Sequence, residues 1–530
     1  MIDVLFITPN NSNGIYQELS SKYSAIETPT WSLLLAQSCR AQNYKVAILD
    51  CLAENLSDED ANKRIKKLNP KLLCFVVYGQ NVNAGTTNMS GATRLAKFLK
   101  YKDKSYVISF IGSHVQALPV ETLKNEKDID FVFSNEGVYA LWNVLKFNSF
   151  EGKTGRKKKG REGGGGGCML NQEKLKKING IVFRDLNNNI IFNKAEKVVP
   201  QSRMDLDMPG YAWDLLPYKK KSFDLYRSPM WHAEYNEEYR TPYAAIQTSL
   251  GCQFKCEFCM INIVNRNDEQ EIGVAGNYSG MRFWSPEFII KEFDKLISYG
   301  VKTIRIVDEM FLLNPKYYLP ICNLLKERNK NDDLKLWAYS RIDTIKKNEN
   351  LELVRKAGIK WLALGIESSD KKIRMEVSKG KFEDIDIRNI VKMVESADID
   401  VMANYIYGLT GDTKDTINKT FELSKELCTR GWNTYAAMAL PGSYLYKYSI
   451  DNNIKLPENY EGYSFHSYNS QPLPTKNLSA GEILKMRDEK FIEYHSNPKF
   501  LERILEKFGD RAVYNIKQMM SVKIKRKLYN

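Results

Sequence analysis

An α/β architecture in two parts is predicted by two features of the 530-residue chain. Short apolar runs alternate with helical stretches over the first 150 residues, the rhythm of a doubly wound parallel sheet. From Ala244 onward six further strand candidates alternate with well-capped helices, which makes a partial (β/α)6 barrel. Composition sets the expected boundaries at 1–147 for the first domain, 148–237 for a linker, 238–450 for the barrel and 451–530 for a mostly helical C-terminal region.

The first domain opens with a strand at 4–7, a helix over 31–42 and strands at 46–49 and 72–77, then a helix over 92–99 and a strand at 106–111. Strand ends carry Thr8-Pro9-Asn10, Asp50-Cys51, Tyr78-Gly79-Gln80 and Gly112-Ser113-His114. Ligands of such sheets bind beyond the carboxyl ends of the strands, and small polar residues suit that place. Plain turn chemistry accounts for the glycines and asparagines as well.

The linker holds six basic residues between Lys153 and Arg161, then five consecutive glycines at 163–167. No Gly-Lys-Ser/Thr follows, so this is a flexible connection and not a phosphate loop. Residues 180–184 and 190–192 flank the turn-rich 185–189 and read as a hairpin.

Helix signals in the barrel half are explicit: Ser285-Pro286 opens a helix that closes at Gly300, Asn314-Pro315 opens the next, and Thr413 caps another that ends before Gly431. Function belongs in the loops after barrel strands. The loop expected after the first apolar run, 244–250, is Gly251-Cys252-Gln253-Phe254-Lys255-Cys256-Glu257-Phe258-Cys259. Three thiolates on one loop can hold three irons of a cubane cluster and leave the fourth open. A structural zinc wants four ligands, here by recruiting a lone residue such as Cys168 or His232. A disulfide framework is not expected, because the other cysteines, Cys39, Cys51, Cys74, Cys168, Cys322 and Cys428, show no pairing pattern.

The net charge of +14 is concentrated: ten basic residues in 153–161 and the tail (Lys523, Lys525, Arg526, Lys527) leave a residual of +4 for the rest. A dedicated nucleic-acid face is therefore not expected. No apolar run is long enough to span a membrane, and the start lacks a signal-peptide pattern, so the expected location is cytoplasmic.

The spacing Cys252-x3-Cys256-x-Phe258-Cys259 resembles that of the radical SAM superfamily. The resemblance implies a TIM-like barrel and a [4Fe-4S] cluster on those cysteines, with S-adenosyl-L-methionine (SAM) on the open iron, cleaved to a 5′-deoxyadenosyl radical. It places Phe258 beside the cofactor. Asp308-Glu309-Met310-Phe311, Arg341-Ile342-Asp343 and Gly365-Ile366-Glu367-Ser368 are similar to further segments of the family. By that likeness Glu309 serves the methionine ammonium, Arg341 its carboxylate, and Glu367 with Ser368 the ribose side. The turns Gly408-Leu409-Thr410-Gly411-Asp412 and Leu440-Pro441-Gly442-Ser443 also resemble the family's, with threonine at 410 where proline is usual.

Gly112-Ser113-His114-Val115-Gln116-Ala117-Leu118-Pro119 and Ser134-Asn135-Glu136-Gly137 resemble the Rossmann-like cobalamin-binding domain that precedes many radical SAM cores. That likeness brings Ser113 and His114 forward as cobalamin residues. The Asp-x-His-x-x-Gly motif of mutase-type cobalamin proteins is absent, so no lower axial histidine is assigned. The resemblance implies a cobalamin-dependent methyl transfer to an unactivated carbon of a small molecule, with a one-electron reductant such as flavodoxin or ferredoxin as partner. Cyclisation or rearrangement, as in the anaerobic magnesium-protoporphyrin monomethyl ester cyclase that the architecture also resembles, is the second reading. A zinc-stabilised nucleic-acid-binding module is the alternative from another class. For 451–530 a substrate lid, a core-covering helix pair and a dimer surface stand side by side.

Overall fold

The computed structural model describes residues 1–79, 82–147, 150–151, 169–217, 224–278, 280–345, 348–378, 382 and 385–529. The basic run, the five glycines, Cys168 and Gln80 lie outside the described residues. The chain forms two compact units: Met1–Asn11 with Pro29–Leu216 and Met260–Tyr278, and Ser12–Thr28 with Pro217–Cys259 and Ser279–Asn530. Each unit thus includes a segment that chain order alone assigns to the other.

In the first unit, strands β1 (Ile2–Thr8), β2 (Val46–Asp50), β3 (Pro70–Val76), β4 (Ile108–Ile111) and β5 (Phe131–Phe133) pair in parallel in the order β2-β1-β3-β4-β5. Val4 to Ile7 are fully buried, as a strand covered on both faces must be. The order reverses between β1 and β3, and that switch point is where doubly wound sheets take ligands. The hairpin expected in the linker joins this sheet. Strands β6 (Ile181–Arg184) and β7 (Ile190–Phe192) add to it antiparallel, with Phe131 opposite Phe183. Segment Met260–Tyr278 is fastened here by backbone bonds, Glu136 N–H to Val264 O at 3.0 Å and Gly273 N–H to Ala117 O at 2.8 Å.

In the second unit, β8 (Tyr243–Ile246), β11 (Thr303–Ile306), β12 (Lys335–Arg341), β13 (Ile359–Glu367), β14 (Asp400–Tyr407) and β15 (Gly431–Ala436) form a six-stranded parallel sheet in that order. The apolar run 244–250, expected as one strand, is two. It turns at Gln247-Thr248, and β9 (Ser249–Cys252) pairs antiparallel with β10 (Gly280–Phe283). Cys252 therefore ends a short strand and is not on the loop itself. The corner is fixed from outside by Asp308, whose carboxylate accepts the N–H and hydroxyl of Thr248.

Both edges of this sheet are covered, as exposed edges invite further pairing. On β8, the Thr28 hydroxyl donates to Ala245 O (3.0 Å) and accepts its N–H (2.9 Å). Against β15 lies the helix Ala480–His495, where Tyr494 stacks on Trp432 at 5.1 Å and Arg487 donates to Thr434 O at 2.9 Å. Residues 480–521 are thus mostly helical, in three helices of which the first covers the core, whereas 522–529 are not helical. Aromatic rings close the amino-terminal end of the strands: Trp231 meets Trp337 edge-on at 4.0 Å and Trp361 at 5.3 Å.

Candidate active site

The cysteine loop is held at three points within its own unit. Glu257 N–H donates to Val377 O at 3.0 Å, Leu445 N–H to Glu257 O at 3.0 Å, and Cys259 N–H to Cys256 O at 3.1 Å. Cys252 is buried, whereas Cys256 and Cys259 are half-buried. The Phe254 N–H points at Cys252 Sγ from 3.4 Å. Burial raises the Cys252 thiol to about 12, with Cys256 and Glu309 adding to it and Arg341 opposing. Cys256 is raised to about 11 by the same cause, again opposed by Arg341. Thiols in this state become ligands when a cation supplies the missing charge.

Among the described residues no three His, Cys, Asp or Glu side chains gather closely enough to hold one metal ion. A mononuclear zinc requires such a point. A cubane cluster does not, because each thiolate takes a different iron, and one thiol at a strand end with two on the loop that follows it suit it. His232, considered as a fourth zinc ligand, donates its Nε2–H to Lys335 O (3.2 Å) beside Trp337, at the opposite end of the strands from the cysteines.

Strand ends next to the loop bring the charged residues. Arg341, closing β12, forks onto Asp343 with both distances 2.6 Å, and its guanidinium lies 3.8 Å from the Phe254 ring centre and 4.7 Å from that of Phe382. Glu309, after β11, is half-buried, and burial raises its carboxyl to about 7. Glu367, the last residue of β13, is raised to about 7 by burial, with Arg341 opposing. Its backbone is left-handed (φ 65°), and the pairing with β14 shifts register there. Gly365 makes room for it: a Cβ on Gly365 would lie 2.5 Å from Glu367 Oε1. Burial holds both carboxyls toward the protonated form, opposed at Glu309 by Arg305 and at Glu367 by Arg341, an arrangement that suits an ammonium and a carboxylate.

Two expected residues stand apart from this group. Ser368 is buried with its hydroxyl 3.2 Å from that of Thr420, and it accepts the Asp370 N–H. Phe258 packs against a cluster of Ile373, Val377, Ile406, Leu409 and Ala437. Three contributors stand in the quoted motifs but are given no role by the sequence: Phe254, which stacks on Arg341, Gly365, and Asp308. The aromatic two places after Cys252 was the one available signal for Phe254.

In the first unit, Ser113 and His114 sit on a five-residue helix, Ser113–Ala117, and not on a loop. Ser113 Oγ donates to Val82 O at 2.6 Å, and His114 Nδ1 is 3.1 Å from Thr86 Oγ1. Burial lowers the His114 imidazole to about 3, so it is neutral. Both side chains are turned into the protein. Gly112, before them, has φ 154°, and a Cβ there would meet Val77 O at 2.5 Å. Around the switch point, Trp31 stacks on Tyr78 at 4.4 Å and Thr8 lies 3.4 Å from the Ser32 hydroxyl.

Comparison with known proteins agrees with both halves. The B12 binding domain family matches residues 19–145, and the radical SAM superfamily matches residues 246–424. The chain is 26% identical over 503 residues to an uncharacterized methyltransferase of Pyrococcus horikoshii, covering 94% of each. It is 22% identical over 545 residues to the anaerobic magnesium-protoporphyrin IX monomethyl ester cyclase of Rubrivivax gelatinosus, covering 99% of this chain and 84% of that one. In fold it is similar to the radical S-adenosylmethionine methyltransferase TsrM of Kitasatospora setae, with a TM-score of 0.61 and 13% identity over 98% of both chains. No helix among the described residues is long and apolar enough to cross a membrane. The cofactors that go with these domains are a [4Fe-4S] cluster, SAM and cobalamin. The chain thus carries a B12-binding domain ahead of a radical SAM domain, and it is an enzyme.

Proposed function

We propose that this enzyme transfers a methyl group to an unactivated carbon of a small molecule. The observation that carries the reading is the grouping of Cys252, Cys256, Glu309, Arg341 and Glu367, each within electrostatic reach of at least one other, at the carboxyl ends of β9, β11, β12 and β13. The relative of matching length that is named a methyltransferase supports the choice of reaction. When bound, the cluster and SAM supply a one-electron cleavage that yields a hydrogen-abstracting adenosyl radical, and cobalamin supplies a methyl carrier.

The chain's own residues bind and orient. Cys252, Cys256 and Cys259 hold three irons. Glu309 receives the methionine ammonium, and its carboxyl ionises as that cation arrives. Arg341, kept planar between Phe254 and Phe382 and fixed by Asp343, receives the carboxylate. Glu367, in the space left by Gly365, accepts from the ribose hydroxyls. Ser368 and Phe258 act indirectly, Ser368 through Thr420 and Asp370 and Phe258 through the cluster of Ile373, Val377, Ile406, Leu409 and Ala437. Ser113 and His114 serve the cobalamin side by holding Val82 O and the Thr86 hydroxyl in place. The electron comes from a low-potential donor of the flavodoxin or ferredoxin kind.

The second reading, cyclisation or rearrangement, is favoured by the cyclase that matches nearly the whole chain. Anaerobic reconstitution with iron, sulfide and cobalamin separates the two. With methyl-labelled SAM and a strong reductant, methyl transfer predicts a SAM-shifted [4Fe-4S] EPR signal and label passing to the corrin. Both the signal and SAM cleavage vanish in Cys256→Ala. Cleavage of SAM with no label on the corrin would favour the second reading, and zinc in place of iron would overturn both.

A further inference from the structure

The corner between β8 and β9 is tied more tightly than a strand corner needs to be. Asp308, 1% exposed, accepts the Thr248 N–H at 2.6 Å, the Thr248 hydroxyl at 2.6 Å and the Ser249 hydroxyl at 2.5 Å. Tyr317, from the helix Pro315–Lys326, donates its hydroxyl to Thr248 O, and the Trp284 N–H reaches the same oxygen at 3.4 Å. Thr248 is fully buried. Both oxygens of one carboxylate are thus spent on two adjacent residues, and the carbonyl between them is gripped from two other elements. A buried carboxylate with three donors holds its partners at one geometry, because any shift strands a desolvated charge.

The position of this clamp gives it a use. Cys252 follows Ser249 by three residues along β9, and Glu309 is the residue after Asp308. We propose that Asp308 is a positioning residue of the SAM site, locking the strand that ends in Cys252 to the backbone that carries Glu309. The first cluster thiol and the ammonium-binding carboxylate are then presented at one fixed spacing. This rests on the roles given to Cys252 and Glu309 above. Asp308 touches neither cofactor nor substrate; it acts through Thr248 and Ser249, as outer hydrogen-bond partners orient the ligands of a metal site.

Asp308→Asn and Ser249→Ala in the full chain test it with two readouts. One is the rate at which iodoacetamide alkylates Cys252 in the metal-free protein, followed by mass spectrometry. The other is the SAM concentration that half-completes the EPR change of the reconstituted enzyme. For Asp308→Asn we expect both to rise by about 10-fold. For Ser249→Ala, which loses one of the three bonds, we expect a smaller rise in both at a thermal midpoint near wild type. Wild-type values of both readouts in folded Asp308→Asn would overturn the proposal, as would a lowered thermal midpoint in Ser249→Ala with both readouts unchanged. Should Asp308→Asn not fold, the two readouts on Ser249→Ala decide. A wild-type enzyme whose EPR signal ignores SAM would instead defeat the reading beneath the proposal, while the alkylation rates still judge the clamp.

Discussion

Glu27 and Arg305 form an ion pair inside the second unit, with the two residues 8% and 3% exposed. Glu27 comes from the segment Ser12–Thr28, between β1 and the next helix of the first unit, yet it is packed with the barrel strands. Arg305 also donates to the Tyr339 hydroxyl at 2.6 Å, and its guanidinium carbon lies 4.9 Å from the ring centres of both Trp337 and Tyr339. The pair, together with Thr28 on β8, fastens a segment across an otherwise open strand edge.

Breaking that pair strands a buried charge. Glu27→Gln is expected to lower the stability of the second unit by about 3–5 kcal/mol, whereas the double change Glu27→Met with Arg305→Met costs less than the single one. Urea unfolding followed by tryptophan fluorescence reads this directly, since Trp337 lies against Arg305. A double variant less stable than Glu27→Gln would show that the pair is a net source of stability.

Gly365→Ala separates folding from cofactor binding. The added Cβ would fall 2.5 Å from Glu367 Oε1 and 3.9 Å from Arg341 Cγ, so the obstacle is the movable end of a side chain and not backbone. The carboxylate swings away at little cost in stability and, on the role proposed for Glu367, the ribose loses its acceptor. Thermal midpoint and iron content are expected to stay at wild type while SAM binding weakens by about 10-fold, the worth of about one good charge-assisted hydrogen bond. Equal loss of stability and binding would mean that Glu367 anchors the strand instead.

Much of this arrangement was legible from residue order. The alternation of apolar runs and caps located both sheets, and Cys252-x3-Cys256-x2-Cys259 pointed to the candidate site, because periodicity and spacing are local properties. What escaped was long-range. Nothing in residues 12–28 shows that they leave the sheet β1 begins and fasten to β8 and Arg305. The unbroken apolarity of 244–250 hides a corner that exists because Asp308, sixty residues on, binds Thr248. Ser368 reads as a site residue by its neighbours, but its hydroxyl is committed to Thr420, 52 residues away. Side-chain commitments of this kind are set by tertiary partners, which a pattern along the chain does not carry.

Asp412 gives a pH dependence with a definite sign. Its carboxylate accepts the N–H groups of Gly408 (2.9 Å) and Leu409 (3.0 Å) and the Thr416 hydroxyl (2.8 Å), but burial prevails and raises it to about 6. A native acid with a raised pKa holds its proton more tightly than the unfolded chain does, whose value is about 3.9. Stability from this group is therefore full below about pH 4 and declines as the pH rises to about 6. Asp412→Asn removes that dependence, so the variant gains on wild type between pH 4 and 6 and the difference is flat above 7. Chemical denaturation of the metal-free protein at pH 4, 5, 6 and 7 measures it, and a difference running the other way would sink the assignment.

Gly85→Ala addresses the cobalamin side. Gly85 opens the helix Gly85–Lys102, and a Cβ there would fall 2.0 Å from Ser113 Oγ and 2.7 Å from Val77 O. The second contact is with backbone, so the helix start must move off the ends of β3 and β4. Those ends border the switch-point side of the sheet, where a ligand of this domain is expected. The variant is expected to bind cobalamin about 10-fold more weakly, a loss of about 1.4 kcal/mol, read as corrin absorbance per chain in a titration with cobalamin. Iron content and reductive SAM cleavage are set by the other unit and are expected at wild-type levels. If corrin and iron were lost together, the substitution would be acting through global unfolding, and a cobalamin role for this edge would have to be given up.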